Sequence, residues 1–245
     1  MTGQGPAKNP TQSPAEGPVQ GIVFDKDGTL FDFHSTWTVW TRDLIHSLAR
    51  AHGAPPARLA AAVQFDLENS AFHSGSLLIA GTNREGAMAI ASAIPGVSVD
   101  AIEEEMVLLA AHAPLAPAVP LAPFLEGLRG RGLKLGVMTN DSEYGARAHL
   151  GSAGVLERFD FVAGFDSGHG AKPAAAPLLA FARSVGLAPQ ACVMVGDSTH
   201  DLMAGRAAGM RTVGVLTGVA ECEVLAPFAD VVLPDIGHLP RWLDA

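Results

Sequence analysis

Two aspartates stand two positions apart at the end of a short apolar run, Ile22-Val23-Phe24-Asp25-Lys26-Asp27-Gly28-Thr29-Leu30. On a β-strand alternate side chains share a face, so Asp25 and Asp27 point one way and Lys26 the other. Gly28 then allows a sharp turn. Two carboxylates at the end of a buried strand repel each other and resist leaving water. A cation between them, or a proton kept on one, makes such a site tolerable. Both conditions suit phosphoryl transfer. Asp25 is the candidate nucleophile, a carboxylate able to attack phosphorus and form an aspartyl-phosphate. Asp27 is placed to protonate the leaving oxygen and later to deprotonate the attacking water.

Three further segments carry matching chemistry. In Met138-Thr139-Asn140 a hydroxyl, Thr139, and the backbone N–H groups at the next helix start, around Asn140, can hold phosphoryl oxygens. In Gly170-Ala171-Lys172-Pro173 the Lys172 ammonium can neutralise both nucleophile and transferring group. In Val195-Gly196-Asp197-Ser198-Thr199-His200-Asp201, Asp197 falls at a strand end and Asp201 one helical turn later. Asp197 with Asp25 makes a carboxylate set suited to a hard, octahedral Mg²⁺.

These residues need a frame that brings them together. Five more apolar, β-branched-rich runs resemble the first, at 133–139, 161–165, 192–195, 212–216 and 231–233. Helical patterns at 124–131, 142–152, 175–185 and 198–208 separate them. Strands alternating with helices predict an α/β fold with a doubly wound, mostly parallel sheet. Its ligand site lies off the carboxyl ends of the strands. The stretch from Ser35 to His112 reads instead as all-helical, with helices near 36–51, 56–68, 84–93 and 99–111. The predicted organisation is a tail over 1–18, a core of 19–33 and 119–245, and an inserted helical cap over 34–118.

Composition narrows the partners. A formal net charge of −9 argues against nucleic acid, which requires concentrated Lys and Arg. The two cysteines, Cys192 and Cys222, show no metal-ligand spacing and fit a reducing cytoplasm. The Gly- and Pro-rich beginning has no apolar signal region and reads as a flexible tail. The uncharged stretch from Met106 to Leu125 is broken by Pro114, Pro117, Pro120 and Pro123, which favours an extended linker over a membrane span. The expectation is a cytoplasmic monomer or homodimer acting on a small phosphorylated metabolite, with neither membrane nor nucleic acid as partner.

Over about residues 20 to 240 the chain resembles the haloacid dehalogenase superfamily, close to its phosphoglycolate phosphatase-like members. Asp25, Asp27, Gly28 and Thr29 match the first motif, Thr139 the second, Lys172 the third, and Asp197 with Asp201 the fourth. The resemblance implies a Rossmann-like core and Mg²⁺ held by Asp25, the backbone carbonyl of Asp27, and Asp197. It implies an aspartyl-phosphate intermediate, and Asp201 as an outer group orienting metal-bound water or Lys172. The helical insertion is similar to the superfamily's mobile cap. A dehalogenase needs no acid for a leaving oxygen, so Asp27 favours phosphoester chemistry. Lys26 departs from the usual apolar residue between the aspartates. It is similar in this to the Asp-Lys-Thr-Gly-Thr of ion-pumping ATPases, but Asp27 and the lack of a membrane span exclude a pump.

Selectivity is expected from cap residues that reach over the phosphate. His34, Trp37 and Arg42 near the start of the insertion are candidates, as are His73, Ser74, Asn83 and Arg84 around its centre. Arg42 or Arg84 could pair with a substrate carboxylate. His169 and His200 flank the site outside the chemistry. The expected function is a Mg²⁺-dependent phosphatase for a small phosphate monoester. The alternatives are a sugar phosphomutase using the same groups, or a non-catalytic binding protein on this fold.

Overall fold

A computed structural model describes residues 17–73, 76–80, 83–110 and 113–245. The tail expected over 1–18 lies outside the described residues as far as residue 16, and Ser74 and His112 also lie outside them. The chain begins with β1 (Gly21–Phe24) and then enters the insertion, α1 (Phe33–His52), α2 (Pro56–Ala62), β2 (Phe65–Asp66), β3 (Ala71–Phe72), α3 (Leu77–Ala80), α4 (Asn83–Ser92) and α5 (Val99–Ala110). It returns through α6 (Leu121–Gly130), β4 (Lys134–Met138), α7 (Glu143–Ser152), β5 (Phe161–Ala163) and α8 (Ala176–Ser184). The remainder is β6 (Cys192–Gly196), α9 (Thr199–Ala207), β7 (Arg211–Val215), α10 (Cys222–Leu225), β8 (Val231–Leu233) and α11 (Leu239–Leu243).

The main sheet has the order β5-β4-β1-β6-β7-β8, and every pairing in it is parallel. β1 is buried along its whole length, as a central strand covered on both faces must be. The chain first moves outward from β1 through β4 to β5, then back to β6 on β1's other side and outward again. The change of direction therefore falls at β1, where a doubly wound sheet opens a crevice. Phe24 pairs with Val137 on one side and Val195 on the other, so these three strands end level.

Two of three apolar clusters bear on the site; the third, around Val23, Met138, Phe181 and Met194, covers the sheet's other face. One fills one face of the sheet with Ile22, Phe24, Leu125, Leu135, Val137, Val193 and Val213 among others. The other belongs to the insertion and gathers Trp40, Leu44, Leu48, Leu59, Ile90, Ile102 and Met106. α1 starts where Asp32 accepts a 2.7 Å bond from the Ser35 N–H and stops at Gly53, whose φ of 67° suits glycine. The two connections to the core run against each other, with Asp32 N–H bonded to Ala116 O and Ala118 N–H to Leu30 O.

The structure departs from the sequence reading at three places. The insertion is not wholly helical, since β2 and β3 form a short antiparallel ribbon where the pattern reads as helix to residue 68. The helix stops at Ala62 and Gln64 turns to φ 54°; beyond it, Asp66 Oδ1 accepts from the N–H groups of Glu68 and Asn69 and makes the turn between β2 and β3. The short helix α3 also escapes the sequence pattern. Finally α6 starts at Leu121 rather than 124, because Pro123 in a first helical turn loses no helical hydrogen bond.

Candidate active site

β1 ends at Phe24, β4 at Met138 and β6 at Gly196, so Asp25, Thr139 and Asp197 emerge side by side. The Asp25 N–H still bonds to Val195 O at 2.9 Å, and the Thr139 N–H to Ala163 O at 3.1 Å, which anchors both at the sheet edge. Lys172 arrives from the loop before α8. Its Nζ lies 2.7 Å from Asp25 Oδ1 and 2.6 Å from Asp201 Oδ1. Asp25, Lys172, Asp197, Asp201 and Thr139 are all buried.

Oxygens of Asp25, Asp197 and Asp201 lie within 4.8 Å of one another. Three carboxylates face one ammonium, and burial withholds the water that would screen them. Burial, countered by Lys172 and reinforced by Asp201, pushes the Asp25 carboxyl up to about 7. Burial, then Asp201 and Asp25, also push Asp197 well above the usual carboxylate range. Burial pulls the Lys172 ammonium down, but Asp201 and Asp25 outweigh it, so its pKa stands above the ordinary lysine value. An all-oxygen donor set with surplus negative charge is what a hard divalent cation requires. The triad fits a metal ion.

Close backbone approach shapes the triad. A Cβ on Gly28 would come within 2.3 Å of Asp197 Oδ2, and one on Gly218 within 1.7 Å. Gly28 also sits at φ 79°. Asp197 Oδ1 accepts from the Thr29 hydroxyl at 3.2 Å. Asp201 closes a capping box at the start of α9, its Oδ2 accepting from the Ser198 N–H and hydroxyl at 3.0 and 2.7 Å. That leaves its Oδ1 for Lys172. The Asn140 side chain, read as a substrate-binding group, is bonded at both ends within the protein: Nδ2 donates to Lys172 O at 3.0 Å, and Oδ1 accepts from Lys172 N at 2.9 Å. It clamps the lysine loop. Thr139 Oγ1 accepts from the Asp141 N–H at 3.1 Å.

The family model described as haloacid dehalogenase-like hydrolase matches residues 19–209. The chain belongs to this family. Among curated relatives, the phosphoglycolate phosphatase of Neisseria meningitidis is 37% identical over 116 residues, 46% of this chain and 49% of that protein. The phosphoglycolate phosphatase of Escherichia coli K12 is 34% identical over 116 residues, 47% of this chain and 44% of that protein. The chain thus matches about half the length of these relatives. In three dimensions a HAD-superfamily hydrolase of Geobacter sulfurreducens aligns with a TM-score of 0.67, 18% identity and coverage of 95% of this chain and 99% of that one. CbbY of Rhodobacter sphaeroides, solved in complex with phosphate, aligns with a TM-score of 0.63 and 21% identity over 93% of this chain and all of that one. These structural likenesses establish the shared fold.

Against the family pattern Lys26 is the exception, and it does not point away from Asp27. β1 has ended at Phe24, so strand alternation no longer governs residues 25–27. Lys26 is completely buried and its Nζ lies 2.6 Å from Asp27 Oδ2 and 3.3 Å from Asp141 Oδ2. Burial pulls the ammonium down, but Asp27 and Asp141 outweigh it and its pKa is raised. His149 Nδ1 stands 3.0 Å from the same Nζ. Burial, and then the charge of Lys26, hold the His149 imidazole below its usual value. Asp141 and His149 escaped the sequence reading. The one available signal was Lys26 itself, since a cation inside a buried motif demands acceptors from elsewhere.

The cap candidates separate clearly. Trp37 reaches the site, with Nε1 donating to Asp27 Oδ1 at 3.1 Å. Arg84 binds Asp100 and, at 2.6 Å, Glu103, bracing α4 against α5. Half-buried Arg42 lies 3.4 Å from neighbouring Asp43. His34 lines an open hollow of about 440 Å³ with Gly218 and Val219 beside the triad. Of the flanking histidines, His169 packs its ring against Phe161 and His200 is exposed. Among the described residues, no helix is long and apolar enough to cross a membrane.

Proposed function

We propose that the protein hydrolyses a small phosphate monoester, phosphoglycolate-like in class, through an aspartyl-phosphate on Asp25. What carries this reading is the meeting of Asp25, Lys172 and Asp197 at one buried strand edge, with Thr139 beside them. An Asp25 oxygen attacks phosphorus, the ester P–O bond breaks, and protonated Asp27 gives its proton to the leaving oxygen. A water then attacks the phospho-enzyme. Asp27 takes the water's proton, the P–O bond to Asp25 breaks, and phosphate leaves. Thr139 and Lys172 hold the phosphoryl oxygens, with backbone N–H groups near Asn140 supplying further donors. Asp201 keeps Lys172 aimed at Asp25.

Asp25, the Asp27 carbonyl and Asp197 would hold Mg²⁺, which when bound supplies charge neutralisation for a dianionic substrate. Residues 34–118 act as a lid over a core made of 19–33 and 119–245. Arg42 and Arg84 are engaged with acidic neighbours, so the lid contact assigned to the site is Trp37. The reading places the protein in the cytoplasm, as a monomer or homodimer.

The test is phosphate release from phosphoglycolate, sugar phosphates, nucleotides and pyrophosphate, with Mg²⁺ and with chelator. Release in Mg²⁺, lost with chelator and abolished in a folded Asp25→Asn variant, is the expected result. Turnover by Asp25→Asn at the wild-type rate would remove Asp25 from its role. Isomer formation from a sugar phosphate without phosphate release would make the protein a phosphomutase.

A further inference from the structure

Neither the nucleophile nor the metal site explains Lys26. An ammonium without water needs an acceptor for each of its protons. Here the acceptors are Asp27 Oδ2, Asp141 Oδ2 and His149 Nδ1 at 2.6, 3.3 and 3.0 Å. Because an ammonium only donates, His149 Nδ1 must accept, which places the imidazole proton on Nε2. That Nε2–H meets Ala110 O at 2.6 Å, the last residue of α5. The other oxygen of Asp27 accepts from Trp37 on α1, and the Trp37 ring lies 5.6 Å from the Lys26 ammonium. Both carboxylate oxygens of Asp27 are therefore held. One bond comes directly from the first helix of the insertion. The other runs through Lys26 and His149 to the insertion's last helix.

We propose that Lys26, with Trp37 and His149, is a positioning residue that aims Asp27 and ties it to both ends of the insertion. This rests on Asp27 being the acid and base of the reaction. Proton transfer requires hydrogen-bond reach to the leaving oxygen. In forming the phospho-enzyme, a loosened Asp27 therefore costs most when the leaving group needs a proton, and least when it departs as a stable anion; hydrolysis of the phospho-enzyme is common to both.

The test compares phosphoglycolate, or the best alkyl ester of the panel above, with p-nitrophenyl phosphate, in Mg²⁺ and with melting temperatures recorded. Lys26→Met should lower kcat/KM, which reports only the steps up to phospho-enzyme formation, by about 100-fold on the alkyl ester and by no more than about threefold on the aryl ester. Trp37→Phe keeps the ring but removes the N–H, and should act in the same direction by about tenfold. If Lys26→Met does not fold, Trp37→Phe decides. Equal losses of kcat/KM on the two esters, or no loss on the alkyl ester, would overturn the positioning role while leaving the phosphatase intact. A wild-type protein that releases phosphate from neither ester would instead remove the reading beneath it.

Discussion

Two buried lysines, Lys172 and Lys26, each bridge a pair of aspartates within the same strand-end crevice, yet the two clusters are built to different ends. Around Lys172 stand Asp25, Asp201 and nearby Asp197, all from the core, with three acids to one base. Around Lys26 stand Asp27 and Asp141, with neutral His149 and Trp37 completing the shell, and the insertion supplies part of it. The first carries surplus negative charge, as a cation site should. The second is nearer balance and joined to elements outside the core. The lesson is that a buried charge can serve either to leave a field for a ligand or to lock a side chain, depending on how many partners surround it.

The largest expected effect breaks the first cluster. Lys172→Ala leaves Asp25 and Asp201 buried without their ammonium, and at neutral pH should cost about 3–5 kcal/mol of stability. It should also lower kcat by about 10²–10³-fold. Chemical denaturation and steady-state kinetics read both. Next, Gly218→Ala puts a Cβ where Asp197 Oδ2 now lies, 1.7 Å away. Overpacking of this kind costs about 1–3 kcal/mol; on the proposed metal site, Mg²⁺ should raise the melting temperature of the wild type and not that of the variant.

The pH dependence separates the clusters by sign. Asp25 is raised from 3.8 to about 7, so the folded protein holds that proton longer than the unfolded chain does. Its contribution to metal-free stability is present below pH 3.8 and is lost as pH rises towards about 7. His149 is lowered from 6.5, so its contribution is present above pH 6.5 and is lost as pH falls through the folded value. Melting curves of Asp25→Asn and His149→Asn against wild type, taken across pH in chelator, should show difference slopes of opposite sign. Slopes of the same sign would dissolve the distinction. The smallest effect belongs to the insertion's surface. Arg84→Ala removes exposed ion pairs to Asp100 and Glu103 and should change stability by less than about 1 kcal/mol, with turnover unchanged.

The strands were legible because a buried parallel strand writes itself as an unbroken apolar run, and 231–233 and the start of β6 at Cys192 match the sequence reading to the residue. Asp25, Thr139 and Asp197 were legible because each follows such a run, and Lys172 because it shortly precedes a helix. The ribbon β2–β3 was not, because an Asx turn at Asp66 depends on one side chain capturing two N–H groups, which no periodicity records. Asn140 was read as a ligand group because its place after a strand resembles one. Its clamp on Lys172 needs a loop 32 residues away.

By itself the order of residues determined which groups could do chemistry and at which strand ends they would stand, since local pattern sets strand limits and parallel topology aligns those ends. Only the tertiary structure decided what surrounds each charge. The three carboxylates sharing Lys172, the glycines that give Asp197 its room, and the pairing of Lys26 with Asp27, Asp141 and His149 arise between segments far apart in the chain. Burial sets their energies, and burial is a property of the packed molecule rather than of any one segment.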